Sequence, residues 1–398
     1  MLDLNSEQLL SLFPQAQVLP AFSVYGVETD SRKDCSGRLF VALRGERFDG
    51  HHYLQAAYEK GAVAAIVEKY CDCSIPQITV KDSRKALARL AHYWRQQMSA
   101  VVVALTGSNG KTTVKEMLGS ILKPHSSTLV TQGNLNNDLG VPLTLLQLAP
   151  DNVFAVIEMG ANHHGEIRDL VSIAGPDIVY VNNAGSAHVE GFGSLQGVVE
   201  AKGEMYQFSS KQALAVFNQD QPAVDFWRSI AASSNSICFS QGSDCDVSFS
   251  CQEVETGLAV RFVYKGEESE AVIHQRGEHN AQNAAAAVTL AIACGLSLQQ
   301  ATSGLNGFSG VAGRQQLVEG VNQTLIIDDS YNANPDSLRA AIDVLCAFPG
   351  EHWLALGDMG ELGVDAVQMH RKALDDAITS GVNEVFVVLG RGMTVHEP

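Results

Sequence analysis

The sequence predicts an α/β protein built on parallel sheets, and three observations carry that expectation. Val101-Val102-Val103 is a β-branched run that leads into Ala104-Leu-Thr-Gly-Ser-Asn-Gly-Lys-Thr-Thr113, a glycine turn, and then into Thr112–Leu122, with apolar residues at helical spacing. The strand–loop–helix order recurs from Thr324 and again from Trp353. At 398 residues, 45% apolar and 18% charged, the chain is an ordinary globular one with room for two to four domains and buried cores.

Residues 1–81 read as a small α/β unit. Strands are expected at Arg38–Leu43 and Gly61–Val67, with a helix over His52–Lys60 between them. Thr29-Asp-Ser-Arg32 and Gly45-Glu-Arg-Phe-Asp-Gly50 are polar turns, either two solvated loops or the walls of a ligand pocket. Asp82–Gln97 is an amphipathic helix, with Asp82 or Ser83 as its N-cap and Leu87, Leu90, Ala91 and Trp94 on one face. A domain boundary is placed ahead of it, so that a second domain covers 82–313 and a third 314–398.

The turn after Val103 has the layout of a phosphate cradle. Gly107 and Gly110 permit close backbone approach, the helix N-terminus offers N–H groups, and Lys111 adds a point charge. Thr112 places a hydroxyl where a nucleotide-bound Mg²⁺ would sit. The spacing is shorter than the general G-x-x-x-x-G-K-[ST] pattern, because Leu105 stands at the first glycine position. The turn is read as a nucleotide site.

Thr131–Pro142 holds three asparagines between glycines, suited to turns or to donating amides to a polar ligand. Val153–Glu158 reads as a buried strand ending in a carboxylate. Ligands of open parallel sheets bind outside such ends, and an acid there can hold Mg²⁺. Asp177–Asn183 is a similar strand followed by His188, structural or ligating. Leu195–Phe208 is a helix in which Lys202, between Glu200 and Glu204, reads as a charged surface residue.

Ala213–Phe217 and Leu258–Tyr264 are strand-like, and the Ser- and Cys-rich stretch 232–256 reads as short strands and loops. Ala281–Cys294 is a helix stopped by Gly295, with Asn280 and Asn283 at its start as N-caps or ligands. Gly310–Arg314 reads as a hinge. A strand over Thr324–Asp329 then precedes the loop Ser330–Pro335 and a helix over Asp336–Cys346. A strand at Trp353–Gly357, a helix and a strand at Glu384–Leu389 follow, fewer elements than a dinucleotide-type sheet normally has.

A net charge of -17 argues against a nucleic-acid surface, so anionic ligands must be held by local features. The eight cysteines lack zinc-site spacing and are expected to be reduced thiols. Neither a signal peptide nor a membrane-spanning apolar run is read from the sequence. A cytoplasmic protein without nucleic-acid or membrane partners, and a monomer, is the expectation.

Thr106–Thr113 resembles the ATP loop of the Mur ligases and folylpolyglutamate synthases. Asn134–Pro142, Glu158–Ala161, Asn182–Gly193 and Asp328–Pro335 extend the resemblance to the Mur ligase family over nearly the whole chain. The resemblance implies three domains: one for a UDP-sugar, a central one with the P-loop parallel sheet, and a C-terminal Rossmann-like one, here incomplete. It implies an ATP- and Mg²⁺-dependent ligase that joins D-alanyl-D-alanine to UDP-N-acetylmuramoyl-tripeptide through an acyl phosphate. Gly107, Ser108, Asn109, Gly110, Lys111, Thr112 and Thr113 would hold the phosphates, Asn283 adenine, Arg314 the phosphates and Asp329 the ribose. Lys111, Glu158, His188 and Lys202 would be catalytic. Thr112 and Glu158 would bind one Mg²⁺, with His188 and a carbamylated Lys202 completing a second metal site. Ser31, Arg32, Gly45, Glu46, Arg47 and Phe48 would line a uridine pocket, and Asn136 and Asn137 the muramyl-peptide side. Closure onto ATP is expected to bring in Arg314 and Asp329. A sister ligase adding one amino acid, a folate polyglutamate ligase, or a nucleotide-binding fragment without activity are the competing readings. A GTPase is disfavoured, because no N-K-x-D signature is present.

Overall fold

A four-stranded parallel sheet in the first of two compact units and a larger mixed sheet in the second organise the chain. The first unit comprises Met1–Val102, Ser126–Met159 and Asp169–Pro176, the second Val103–His125, Gly160–Arg168 and Asp177–Pro398. The computed structural model describes residues 2–14, 20–46, 48–186, 189–242 and 244–387.

In the first unit the strands Val27–Glu28, Leu39–Val41, Ala64–Val67 and Gln77–Thr79 form a four-stranded, all-parallel sheet in chain order. Its two inner strands, Leu39–Val41 and Ala64–Val67, are apolar and buried without alternation, as expected where both faces are covered. Phe40, Ala65 and Val67 pack against Leu54 and Ala57 of the helix Leu54–Glu59. Ser83–Gln96 is the expected amphipathic helix, capped by the Asp82 carboxylate, which accepts from the Lys85 N–H at 3.0 Å. It buries Leu87, Leu90, Ala91 and Trp94, and the Trp94 indole donates to the Leu148 carbonyl at 3.0 Å. The unit also holds the parallel pair Thr128–Val130 and Phe154–Glu158.

In the second unit Val101–Thr106 pairs through Val103–Thr106 with Ile178–Val181. Leu214–Asn218, Ser236–Ser240 and Val247–Val254 follow in parallel, then Gly257–Tyr264 and Glu267–Ile273 in antiparallel array. The stretch 232–256 therefore contains an eight-residue strand, not only short ones. The helix Lys111–Leu122 packs on Glu278–Ala293, whose alanine-rich surface allows close approach on every side.

After Arg314 the chain forms an antiparallel pair, Gln316–Glu319 with Leu325–Asp328. A parallel pair follows, Trp353–Leu356 with Glu384–Val387, alongside the helices Pro335–Cys346 and Ala366–Thr379. Leu338, Ile342, Leu356 and Ala377 form its core. The last expected strand is found over Glu384–Val387, and residues 388–389 lie outside the described residues. All eight cysteines are free thiols, and among the described residues no helix is long and apolar enough to cross a membrane.

Candidate active site

The strand Val101–Thr106 runs into Gly107, at φ 153°, and the helix Lys111–Leu122 starts after Gly110, at φ 75°. Both values lie where side-chain-bearing residues are strained, so the turn needs glycine. At Gly110 the need is also steric. A Cβ there would lie 2.5 Å from both Asn182 Nδ2 and Asn283 Oδ1, so those two amides close around bare backbone.

Asn182 and Asn183, which carry no individual role in the reading above, hold this loop. Asn182 Nδ2 donates to the Asn109 carbonyl at 2.8 Å and to Asn283 Oδ1 at 3.0 Å, while the Tyr180 hydroxyl donates to its Oδ1 at 2.8 Å. Asn183 Oδ1 accepts the Asn109 N–H at 2.8 Å, and its Nδ2 donates to the Asn109 carbonyl at 3.1 Å. Ser108 donates its N–H to the Asn183 carbonyl at 3.1 Å, and its hydroxyl accepts the Gly185 N–H at 2.9 Å. The available signal was position. Both follow the C-terminal end of Ile178–Val181, the strand paired with the loop's own, where ligands of parallel sheets bind.

Lys111 Nζ donates to the carbonyls of Gly107, at 2.6 Å, and Ser108, at 3.1 Å, so the ammonium arches over the turn. With the positive end of a twelve-residue helix behind it, the loop presents an anion-seeking surface.

The loop opens onto a cavity of about 230 Å³. Asn109, Gly110, Thr113, Asn283, Arg314 and Asp329 all line it, so the structure gathers residues separated by up to 220 positions onto one nucleotide-sized wall. Arg314 stacks its guanidinium 4.0 Å from the Tyr331 ring centroid. Asp329 Oδ1 accepts the Gln315 N–H at 3.2 Å, and burial pushes its carboxyl above the usual aspartate range. Both residues line the cavity. Asn280 and Asn283 are not N-caps. The helix runs over Glu278–Ala293 with Gly277 at its cap, and the two buried amides bond each other, Asn283 Nδ2 to Asn280 Oδ1 at 3.2 Å.

Lys202 corrects the surface reading outright. It is 1% exposed on the helix Leu195–Gln207, its Nζ donating to the Ala161 carbonyl at 3.2 Å and lying 5.2 Å from the Phe192 ring centroid. Burial, and after it the charge of Lys111, pulls its pKa down to about 7. The neighbouring Glu204 instead accepts the N–H groups of Gly165, at 2.7 Å, and Arg168, at 3.0 Å. A lysine amine kept out of water, with a substantial neutral fraction near pH 7, is a nucleophile for carbon dioxide, so the site fits a carbamate.

Glu158 belongs to the first unit, where it is 2% exposed at the end of its strand. Asn136 Nδ2 donates to its Oε1 at 2.7 Å, and its N–H donates to Thr131 Oγ1 at 3.0 Å. Asn137 serves the turn: its Oδ1 accepts the N–H groups of Leu139 and Gly140, at 3.2 and 2.9 Å. Arg32 is held bidentately by Asp30, at 2.9 and 2.7 Å, and keeps that carboxyl well below the usual range. Ser31 is buried beside it. Gly45 and Phe48 pair across a small hairpin with Glu46 in its turn, and Phe48 stacks on Tyr53 at 5.4 Å. Arg47 and His188 lie outside the described residues. Among the described residues no cluster of three His, Cys, Asp or Glu is poised for a metal.

Comparison with known proteins extends this geometry to the whole chain. Residues 23–95 match the family described as "Mur ligase family, catalytic domain", 105–291 the "Mur ligase middle domain", and 313–397 the "Mur ligase, glutamate ligase domain". The UDP-N-acetylmuramoyl-tripeptide--D-alanyl-D-alanine ligase of Haemophilus influenzae is 42% identical over 375 residues, 91% of this chain and 82% of that protein. The crystal structure of MurF from Acinetobacter baumannii superposes with a TM-score of 0.91 at 38% identity, covering 97% of this chain and 86% of that one. MurF ligase from Thermotoga maritima, solved in complex with ADP, gives 0.84 at 30% identity, covering 93% and 85%.

Proposed function

The chain belongs to the Mur ligase family, and from its phosphate loop, nucleotide cavity and buried lysine we infer how it carries out that family's ligation. It has the three-domain Mur ligase architecture and is an ATP- and Mg²⁺-dependent ligase joining D-alanyl-D-alanine to UDP-N-acetylmuramoyl-tripeptide in peptidoglycan synthesis. Boundaries near 81 and 313, a cytoplasmic location and a monomeric state complete the reading. The observation that carries it is the cavity that brings Gly110, Asn283, Arg314 and Asp329 together.

A peptide carboxylate does not acylate an amine at neutral pH until its oxygen becomes a leaving group. The carboxylate attacks the γ-phosphorus, the bond to the bridging oxygen breaks, and ADP leaves with an acyl phosphate formed. The dipeptide amine then attacks the acyl carbon. The tetrahedral intermediate expels inorganic phosphate, and the amine's proton passes to solvent. This chain's part is positioning and charge. Lys111 and the helix start behind it face the phosphates, joined by Gly107 to Thr113. Asn283 takes the adenine side, Asp329 the ribose and Arg314 the phosphates. Mg²⁺, when bound, neutralises the transferring phosphoryl group. Thr112 and Glu158 are its proposed holders, with His188 and carbamylated Lys202 at a second position. Ser31, Arg32, Gly45, Glu46, Arg47 and Phe48 are assigned to uridine, and Asn136 and Asn137 to the muramyl peptide.

Phosphate release measured with each acceptor in turn tests the assignment. Release is expected with UDP-N-acetylmuramoyl-tripeptide plus D-alanyl-D-alanine. Turnover with single amino acids, or with a folate and glutamate, and none with the dipeptide would replace this reading with that of a sister ligase.

A further inference from the structure

The segment Ser330–Ser337, used above only through Tyr331 and its neighbour Asp329, also touches the phosphate loop directly. Asn334 is 6% exposed. Its Nδ2 donates to Asn109 Oδ1 at 2.6 Å, and Asn109 Nδ2 faces Asn334 Oδ1 at 3.4 Å, a reciprocal amide pair across 225 residues of sequence. Two residues on, Asp336 Oδ2 accepts the Ser186 N–H at 2.6 Å. Gly185 fits closely beneath that carboxylate, because a Cβ there would lie 2.6 Å from Asp336 Oδ2. The Gly185 N–H in turn donates to the Ser108 hydroxyl. One helix start therefore reaches Asn109 directly and Ser108 through Gly185.

We propose that Asn334 is a positioning residue for nucleotide binding, its carboxamide clasping Asn109 so that the start of the helix Pro335–Cys346 sets the shape of the phosphate loop. The backbone of Asn109 is already fixed by Asn182 and Asn183, and its side chain is the remaining freedom. A loop held in its binding shape loses less conformational freedom when the phosphates arrive. The inference rests on the loop being the nucleotide site.

Asn334 has a second duty to be separated from this one. Its Oδ1 accepts the N–H groups of Asp336, at 3.1 Å, and Ser337, at 3.0 Å, and so caps the helix. Asn334→Ser keeps a good N-cap oxygen but is too short to reach Asn109. Isothermal titration of the full chain with Mg·ADP is the test, with thermal melting alongside. Asn334→Ser is expected to raise Kd about five-fold, the worth of one neutral hydrogen bond, at an unchanged melting temperature. Asn109→Ala is expected to do the same, and the double variant no more than either alone, since both remove one pair. Wild-type Kd in Asn334→Ser, a weakening matched by a fall in melting temperature, or two factors that multiply would overturn the clasp. Unchanged Mg·ADP binding after Lys111→Ala would overturn the nucleotide-site reading beneath it, and the clasp with it.

Discussion

Replacing Lys111 with alanine is expected to lower acceptor-dependent ATP consumption by roughly a thousand-fold, the scale of losing a preorganised charge that faces a developing anion. The ammonium arches over the loop, bonded to the Gly107 and Ser108 carbonyls, and a triphosphate would exchange those acceptors for phosphate oxygens. Lys202 is no substitute for it, because it is buried on the helix Leu195–Gln207 with its amine bonded to the Ala161 carbonyl. Arginine at 111 is not expected to rescue, since its broad planar head does not fit the space of a compact ammonium inside a seven-residue turn. A phosphate-release assay at saturating substrates checks this.

Replacing Lys202 with methionine carries the second large effect, and it reads out in two ways. Turnover is expected to fall on the order of a hundred-fold or more, because the buried position loses its only route to a carbamate. Stability responds in the opposite sense. In the folded chain the amine titrates at about 7, against 10.5 for an ordinary lysine. Between those values the unfolded chain holds one more proton, so wild-type stability rises with pH through that window, by up to about 1.4 kcal/mol per pH unit. In carbon-dioxide-free buffer the wild-type melting temperature should climb from pH 7 to 9 more steeply than that of Lys202→Met. Added bicarbonate should raise the wild type alone. Parallel pH profiles, with no bicarbonate effect, would contradict the assignment.

The phosphate loop was legible because its demands are local: glycine where φ is positive, a lysine, a hydroxyl and a helix start all fall within eight consecutive residues. The helix Ser83–Gln96 was legible for the same reason, its cap and apolar face both written in one stretch. Lys202 was not. Glu200-Ala-Lys-Gly-Glu204 has the composition of a solvated face, and the burial comes from Ala161 and Phe192, which no pattern around position 202 announces. Only resemblance to a family pointed to its chemistry. The helix of Asn280 began earlier than its alanine run suggested, because Gly277 breaks the chain ahead of Glu278, His279 and Asn280, of which Asn280 is buried. Glu267–Ile273 was missed as a strand because its acidic residues pair at an edge, where water rather than packing faces them. The roles of Asn182, Asn183 and Asn334 depend on partners up to 225 positions away, and spacing carries no such information.

The central claim is that the loop around Lys111 hands a phosphoryl group to a peptide carboxylate. Its most direct test is the fate of oxygen-18 placed in the terminal carboxylate of UDP-N-acetylmuramoyl-tripeptide. Mass spectrometry of the released phosphate should find one labelled oxygen per phosphate, appearing only with D-alanyl-D-alanine and ATP together. Phosphate released at the same rate without label would mean that the carboxylate never carried it, and the account would be wrong.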